Sequence, residues 1–369
     1  MSPAVDALPA GIEACDCLTP LGDAAATAAA LLAGRRALQL HPVLGAAGGD
    51  LVPLALCGPM DESLPPRWLP AARRLVEKIP GDRWGTARRP LIVTSSNYGV
   101  GSLYAFTRDR DPRHLALGPP FACVEMLQRE FGWGEPMNMI SHACVSAHLG
   151  LVQAARLLHA GLADRVLVFT FDFVSPFVAG GFHSLKILNA GLPAPYAVRL
   201  TGSIGLGDGA AFAVLSRDAT PFRLEAHTLY NEMHHFTGNR PDGAGFDACA
   251  AAIAGTARGR RVWVKGHGTG TLEAGRLEAE AYARHLPRAP LVSWKGSLGH
   301  TLGSCGLVEL AVAVASLRAG RVAGTVGGEA PCCTGTVALE SFAGAGYDGA
   351  VLSSNAFGGA HAAMLLVHA

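Results

Sequence analysis

The sequence predicts an α/β fold whose sheets are covered by helices on both faces. Three observations support this: short apolar runs alternate with longer helical segments, the chain has 369 residues, and only 16% of them are charged. Globular proteins usually have about 25% charged residues, so extensive burial is expected here. Apolar strands separated by helices are typical of largely parallel sheets.

The N-terminal part begins with an alanine-rich helix that is too short to span a bilayer. Strands are predicted where apolar and β-branched residues run together, and helices where a longer apolar periodicity ends at glycine. The expected elements are the helix AATAAALLAG (25–34), strand RPLIVTSS (89–96), helix FACVEMLQREFG (121–132), strand PMNMIS (136–141), helix VSAHLGLVQAARLLHAG (145–161), and strands RVLVFTFDF (165–173) and GAAFAVLS (209–216).

The same alternation continues in the C-terminal part, judged by the same patterns. The expected elements are strand RVWVKGHG (261–268), helix LEAGRLEAEAYARHL (272–286), strand LVSWKGS (291–297), helix CGLVELAVAVASLRAG (305–320), and strands VLSSNAF (351–357) and AAMLLVHA (362–369).

Two helices suggest an internal duplication. GLVQAARLLHAG (150–161) and GLVELAVAVASLRAG (306–320) both open with Gly-Leu-Val and end with Ala-Gly, and each follows a short stretch with a cysteine and a histidine. We therefore expect two related domains, 1–218 and 219–369. The alternative is a chance likeness between two alanine-rich helices.

Charge and cysteine content narrow the function classes. Thirty basic and twenty-nine acidic residues give a net charge of +1, which offers no general attraction for nucleic acid or an anionic membrane. The nine cysteines form neither a disulfide framework nor a paired zinc motif. With no signal peptide in evidence, the expected location is the cytoplasm.

Cys144 lies in SHACVSAHLG (141–150), where a predicted strand turns into a helix. A thiolate there gains from the positive end of the helix and from free backbone N–H groups. Both effects are expected to lower the pKa of the thiol and make it nucleophilic. The alternative is a small buried side chain with no chemistry, which the neighbouring Ser141, His142 and Ser146 make less attractive.

Two histidines follow strands in glycine-rich segments. His267 lies in KGHGTGTLEAG (265–275), and His300 lies in WKGSLGHTLGSCG (294–306) with Lys295 five residues before it. Two neutral histidines can donate hydrogen bonds to a developing enolate. A buried Lys295 needs a partner, and Glu309 on the next helix is a suitable one. A phosphate-binding interpretation is weaker, because GxxxxGK[ST] is absent and no GxGxxG opens a Rossmann unit.

Taken in order, these motifs resemble those of the elongating β-ketoacyl synthases of the thiolase superfamily. HACVSAHLG resembles the nucleophile motif, HGTGT (267–271) matches letter for letter, and KGSLGHTLG matches K-x₃-GHxxG. IEACDCLTPLGD (12–23), GLGDGAA (205–211) and SSNAFGGAH (353–361) resemble supporting motifs, with Asp208 where glutamate is usual. The resemblance implies a five-layered αβαβα fold built from two similar halves.

The resemblance implies a role for each matching residue. Cys144 would accept the acyl chain, and His267 and His300 would assist malonyl decarboxylation and condensation. Lys295, supported by Glu309, would position His300 and set the local charge.

Other roles implied by the resemblance concern the path to the thiol. The backbone N–H groups of Cys144 and Phe357 would form the oxyanion hole, and Phe357 would also be a gate. Thr269 and Thr271 would line the path of a phosphopantetheine arm delivered on an acyl carrier protein. No bound cofactor or metal is implied, and a homodimer or a heterodimer with a related subunit is expected.

The chain also departs from the family. Gly275 stands where an aspartate usually follows HGTGT, although Glu278 is retained, and the segments on either side of GLGDGAA are compact. A non-condensing partner subunit, like the chain-length factors, is the alternative to an active synthase. Those subunits typically lack the cysteine that this chain keeps. A thiolase or an initiating synthase is disfavoured, because neither pattern fits Cys305 and His300.

Overall fold

A computed structural model describes residues 5–43, 49–60, 64–81, 83–135, 137–199 and 202–368. Two ends of expected strands, Pro136 and Ala369, lie outside the described residues. The helices are α1 Ala24–Leu32, α2 Trp68–Val76, α3 Val100–Asp109, α4 Pro112–Ala116, α5 Pro120–Phe131, α6 Ser146–His159, α7 Pro176–Ser184, α8 Ala244–Thr256, α9 Leu272–His285, α10 Lys295–Leu298 and α11 Cys305–Arg318.

Most strands belong to one large sheet. The strands are β1 Val5–Asp6, β2 Ala10–Thr19, β3 Gly22–Asp23, β4 Gln39–Pro42, β5 Leu51–Ala55, β6 Leu91–Thr94, β7 Met137–Ile140, β8 Arg165–Asp172, β9 Leu206–Gly207, β10 Gly209–Ser216, β11 Phe222–Asn231, β12 Val262–Lys265, β13 Leu291–Val292, β14 Arg321–Val322, β15 Phe342–Ala343, β16 Gly349–Ala356 and β17 Ala360–His368. Over the described residues the large sheet has twelve strands, in the order β13-β12-β16-β17-β11-β2-β10-β8-β6-β7 with β1 and β3 beside this path.

The expectation of largely parallel sheets is wrong, because the sheet is mixed. Its two ends are parallel, at β13-β12-β16 and at β8-β6-β7. The strands between them pair antiparallel. The turn at 357–359, which joins β16 to β17, is too short for a parallel crossover, which needs a dozen or more residues.

The strand order repeats within the sheet. From the outer edge of the sheet inwards, the first half runs β7, β6, β8, β10, β2. These are the third, second, fourth, fifth and first of its five strands along the chain. The second half runs β13, β12, β16, β17, β11, which is the same order. This supports the duplicated thiolase-like architecture. Because one continuous sheet crosses the two halves through β2 and β11, the division into domains 1–218 and 219–369 stays a prediction.

The expected five layers are confirmed by where alternate side chains pack. In β8, Val166 and Val168 face a central core that also contains α1, α6 and α11. Leu167 and Phe169 face an outer core formed with α2 and α5. The opposite outer core, beyond the second half of the sheet, is formed with α8 and α9. The layers are therefore helices, half-sheet, central helices, half-sheet and helices.

The Gly-Leu-Val openings of α6 and α11 mark positions of close packing. A Cβ on Gly150 would lie 2.6 Å from Thr94 Cγ2, and one on Gly306 would lie 2.2 Å from His148 Nδ1. Glycine therefore lets α6 lie against β6 and lets α11 lie against α6. α11 is buried on nearly every side, as expected for a helix without a polar face, whereas α6 exposes Arg156 and His159 near its C-terminal end.

The strand expected at 291–297 is shorter than predicted. Only Leu291–Val292 is strand, and Lys295–Leu298 forms the one-turn helix α10. Ser293 ends the strand, because its Oγ accepts the backbone N–H of Lys295 at 3.3 Å and donates to Gly268 O at 2.7 Å. This bend turns the chain from β13 towards His300.

Within the described ranges, no helix is both long and apolar enough to cross a bilayer.

The central layer predicts a specific effect on stability. Leu310 in α11 is fully buried in the central core, so Leu310→Ala is expected to lower the free energy of unfolding by about 2–5 kcal/mol. Leu162→Ala is the matched control, since the Leu162 side chain is 61% exposed. This substitution should change the free energy of unfolding by less than about 0.5 kcal/mol. Urea unfolding measures both. Equal losses in the two variants would contradict the central placement of α11.

Candidate active site

Cys144 is held at the start of α6 by a strained turn. Ala143, just before it, has φ +44°, a left-handed conformation that is uncommon for non-glycine residues and stores backbone strain. Ser146 closes the turn, because its Oγ accepts the His142 backbone N–H at 2.8 Å and donates to Ala143 O at 2.7 Å. The turn therefore fixes Cys144 between β7 and the first residue of α6.

The two histidines predicted from the sequence converge on this cysteine. His300 Nε2 lies 2.9 Å from Cys144 Sγ. The His267 and His300 rings are perpendicular, with centroids 5.0 Å apart. One ligand-type atom from each of the three side chains lies within 4.8 Å of the others. Three residues remote in the sequence thus share one site.

The hydrogen bonds of His300 define its tautomer. Its Nδ1 accepts the backbone N–H of Leu302 at 3.2 Å, so a neutral ring carries its hydrogen on Nε2. That hydrogen points at Cys144 Sγ. The His300 ring can therefore donate a hydrogen bond to Cys144 Sγ. When a substrate oxygen lies closer than the sulfur, the ring can donate to that oxygen instead.

Both histidines are neutral at physiological pH. Burial lowers the pKa of His267 and of His300 well below the ordinary histidine value, and the nearby Lys295 ammonium lowers both further. A neutral imidazole donates one hydrogen bond without adding a charge that would need its own partner. The pair is suited to stabilising negative charge that develops on a substrate oxygen.

The expected low pKa of the Cys144 thiol is wrong for this structure. Burial raises the pKa of Cys144 above its ordinary value, Cys305 raises it further, and the Lys295 ammonium opposes this. The cost of placing a thiolate in a poorly solvated site exceeds the gain from the start of α6. The resting sulfur is therefore a thiol, hydrogen-bonded to His300.

Lys295 pairs with Glu309 as predicted, and Lys265 joins them. Lys295 Nζ donates to Glu309 Oε1 at 2.6 Å, and Lys265 Nζ forms an ion pair with Glu309 Oε2. All three side chains are buried. Lys265 lies in a motif found in the sequence, but no role was predicted for it. Its position at the end of an apolar strand, two residues before His267, could have indicated a role at the site.

A second buried carboxylate shapes the turn that carries His267. Glu278 accepts the backbone N–H groups of His267 at 2.7 Å and Gly268 at 2.9 Å. Its oxygens also accept hydroxyl donors from Tyr196 at 2.7 Å and Ser353 at 3.2 Å. Tyr196 was missed from the sequence, because its 82-residue separation from Glu278 leaves no local pattern.

A cavity of about 230 Å³ opens onto the three side chains. Thr269 and Thr271 line it, and so does Phe357, whose ring stacks on Phe182 with centroids 5.8 Å apart. Phe357 is 36% exposed, so it sits between solvent and the cavity. The residues expected along the path to the thiol therefore line a single opening.

A larger groove of about 670 Å³ lies elsewhere and contains none of these residues. It surrounds Arg258, Arg260, Arg261 and Arg288, at the opposite end of β12 from His267. Size alone would favour this groove, but it holds no nucleophile. The smaller cavity is the candidate active site, because it has the reactive groups.

The cluster of Cys144, His267 and His300 meets the distance requirement for a metal site within the described part of the chain, and thiolate and imidazole suit zinc. A metal on His300 Nε2 would require the hydrogen on Nδ1. That hydrogen would then face the Leu302 N–H, which already donates to Nδ1. The site is therefore better suited to hydrogen bonding than to metal binding.

Comparison with known proteins agrees with this arrangement. Residues 224–329 match the family model of the β-ketoacyl synthase C-terminal domain, and that segment contains both histidines, both lysines and Glu309. This chain is a divergent relative of the β-ketoacyl synthases. The resemblance stated from the motifs is thereby confirmed.

The curated relatives are similar over part of their length. The chloroplastic 3-oxoacyl-[acyl-carrier-protein] synthase II of Arabidopsis thaliana is 28% identical over 55% of this chain and 42% of its own length. The tetracenomycin polyketide synthase ketoacyl synthase alpha subunit of Streptomyces glaucescens is 28% identical over 58% of this chain and 55% of its own. The matched segments thus span about half of these relatives.

Solved ketosynthase structures share the fold of this β-ketoacyl synthase relative. A β-ketoacyl synthase from Burkholderia phymatum STM815 superposes with a TM-score of 0.84 at 19% identity, covering 100% of both chains. A ketosynthase in complex with its chain length factor, from Xenorhabdus doucetiae, gives 0.79 at 19% identity over 100% of this chain and 98% of that one. The thiolase-type architecture is therefore shown.

The buried histidines predict how stability depends on pH. Burial lowers the pKa of His148 to about 4, against about 6.5 in an unfolded chain. Below pH 6.5 the unfolded state binds a proton that the folded state excludes, so stability is lost as the pH falls towards 4. At pH 5 this amounts to roughly 2 kcal/mol for His148, and His267 and His300 act in the same direction.

Asp172 opposes this trend, since burial raises its pKa to about 6 and its folded carboxyl gains a proton first as the pH falls. Burial also raises the pKa of Asp208, but three histidines outweigh two carboxyls, so urea unfolding should show lower stability at pH 5 than at pH 7. The His148→Leu variant should lose less between the two pH values than the wild type. The same loss of stability in the wild type and in His148→Leu would show that His148 binds a proton as readily in the folded chain as in the unfolded chain.

Proposed function

We propose that this protein is a β-ketoacyl synthase that catalyses decarboxylative condensation of malonyl-acyl carrier protein with an acyl chain held on Cys144. The observation that carries the proposal is the convergence of Cys144, His267 and His300 at one cavity. A nucleophile and two neutral donors are what acyl transfer followed by enolate formation requires.

In the first half-reaction, Cys144 Sγ attacks the thioester carbonyl of an acyl carrier. A new sulfur–carbon bond forms, the bond to the carrier sulfur breaks, and the thiol proton of Cys144 passes to the departing thiolate. The His300 Nε2–H, 2.9 Å from the sulfur, stabilises negative charge on Sγ during the exchange. We assign the oxyanion hole to the backbone N–H groups of Cys144 and Phe357.

In the second half-reaction, malonyl-acyl carrier protein loses CO₂, and the electrons of the broken carbon–carbon bond form an enolate. His267 and His300 donate to its oxygen. The carbanion then attacks the Cys144 thioester, a carbon–carbon bond forms, the bond between the acyl carbon and the cysteine sulfur breaks, and the thiolate takes up a proton from solvent. Lys295 and Glu309 hold the segment before His300 in place.

The phosphopantetheine arm would enter past Thr269 and Thr271, with Phe357 as the gate. Support comes from the position of all three along the cavity. The arm arrives on the carrier protein, so we propose that no resident cofactor or metal takes part. The chemistry needs none beyond the cysteine and the two donors.

The proposed partners are an acyl carrier protein and a second synthase-like subunit, identical or related. One solved relative is described as a type II polyketide acyl-carrier protein in complex with its ketosynthase, and another as a ketosynthase in complex with its chain length factor. We place the protein in the cytoplasm, where a reducing environment keeps free cysteines such as those described here reduced. No nucleic acid is part of the proposed activity.

The second candidate function is a non-condensing partner subunit. Two observations support this second candidate. The fold is similar to that of a ketosynthase–chain length factor pair, and the segments around GLGDGAA are compact. The intact Cys144–His300 contact favours the condensing enzyme.

Acyl transfer to Cys144 predicts a covalent adduct. Incubation with a panel of acyl-carrier proteins should add the mass of one acyl chain to the intact protein, and Cys144→Ala should abolish it. Cys57→Ala is the matched control, because Cys57 is an exposed thiol outside the cavity and its loss should leave the adduct. If no carrier acylates the wild type, the partner-subunit function is favoured.

The division of roles predicts a separation of the two steps. Cys144→Gln should end condensation but keep malonyl decarboxylation, because both histidines remain. His300→Ala should slow decarboxylation by about 10²–10⁴, the range expected for positioned proton transfer and charge stabilisation. Release of CO₂ from malonyl-acyl carrier protein measures both. Loss of decarboxylation in Cys144→Gln would argue against assigning it to the histidines.

A further inference from the structure

One carboxylate in the interior serves two cations. Glu309 Oε1 accepts from Lys295 Nζ at 2.6 Å, and Oε2 forms an ion pair with Lys265 Nζ. Lys265 is 0% exposed, Lys295 1% and Glu309 5%. Lys295 alone would neutralise Glu309, so the second ammonium adds a charge that the first pair does not need. Such a charge is expensive to bury without a compensating role.

The position of Lys265 connects it to both histidines. It is the last residue of β12, two residues before His267, and it pairs in register with Val292 of the parallel strand β13. Lys295 begins α10, which leads to His300. Glu309 lies on α11 in the central layer. Through this carboxylate, the two segments that carry the histidines are joined to one helix.

The charge of Lys265 acts on the same groups. Burial lowers the pKa of Lys265, and Glu309 opposes this; the ion pair with Glu309 Oε2 keeps the ammonium charged. The charge of Lys265 interacts with Glu309, Lys295, Cys305, His148, His267 and His300. The two ammonium groups add to burial in keeping His300 neutral.

We propose that Lys265 is a positioning residue of this site: by sharing Glu309 with Lys295, it holds the His267 and His300 segments together and leaves a net positive charge beside the cysteine. This charge favours negative charge on Cys144 Sγ and on a nearby enolate. The kinetic part of the inference rests on the condensing activity proposed above, whereas the effect on the thiol does not.

Three substitutions separate the charge from the packing. Lys265→Met removes the charge and leaves the neutral Lys295–Glu309 pair. Lys265→Gln also removes it but keeps a donor to Glu309. Lys265→Arg keeps the charge and is the rescue variant. Circular dichroism and urea unfolding establish whether each variant folds.

The first readout is alkylation of Cys144 by iodoacetamide as a function of pH, followed by peptide mass mapping. In Lys265→Met and Lys265→Gln the apparent pKa of the thiol should rise by about one unit, with alkylation at pH 7 slowed about tenfold. Lys265→Arg should stay within about threefold of the wild type. The second readout is malonyl decarboxylation, in which kcat should fall in the two neutral variants and KM should stay unchanged.

Two results would overturn the inference. Folded neutral variants with the wild-type alkylation profile would show that the charge does not reach Cys144. Failure of both neutral variants to fold, with Lys265→Arg folded, would make Lys265 a purely structural partner of Glu309. A wild type without acyl transfer or decarboxylation contradicts the proposed function instead, and the alkylation profile still decides the role of Lys265.

Discussion

The close packing of α6 and α11 between the two half-sheets is the constraint on which the site depends. Cys144 precedes the first turn of α6, and Glu309 lies in α11, so the distance between these helices sets the distance between the nucleophile and the buried charges. Glycine at 306 lets the helices approach, with His148 where a Cβ would otherwise lie. The reactive groups are therefore held by the best-buried layer of the molecule.

Burial shifts the pKa values of the reactive groups in opposite directions: it lowers those of the two histidines and raises that of the cysteine. It makes the histidines neutral and the cysteine a protonated thiol, because a poorly solvated site disfavours each charged form. Lys265 and Lys295 remain charged only because Glu309 lies between them. The result is a site with neutral donors at the cavity and a positive cluster behind them, which is suited to an oxygen that becomes negative during reaction.

Some residues of the site could be predicted from the sequence, and others could not. Cys144, His267 and His300 could be found because each lies in a short motif at the end of an apolar segment. Lys295 and Glu309 could be paired because a buried cation needs an anion. Lys265, Tyr196 and Ser353 were missed as partners of Glu309 and Glu278, since those contacts join segments that are remote in the sequence. The parallel-sheet expectation failed because periodicity identifies strands but not their directions.

The sequence by itself determined the α/β class, the strands and helices around the reactive motifs, and the reactive residue types, since hydrophobic pattern and short motifs are local properties. The tertiary structure alone decided which groups meet and in what protonation state. His300 becomes a donor through the Leu302 N–H, and the Cys144 thiol keeps its proton through burial. Both outcomes depend on solvent exclusion and on distances between remote segments, which no stretch of sequence specifies.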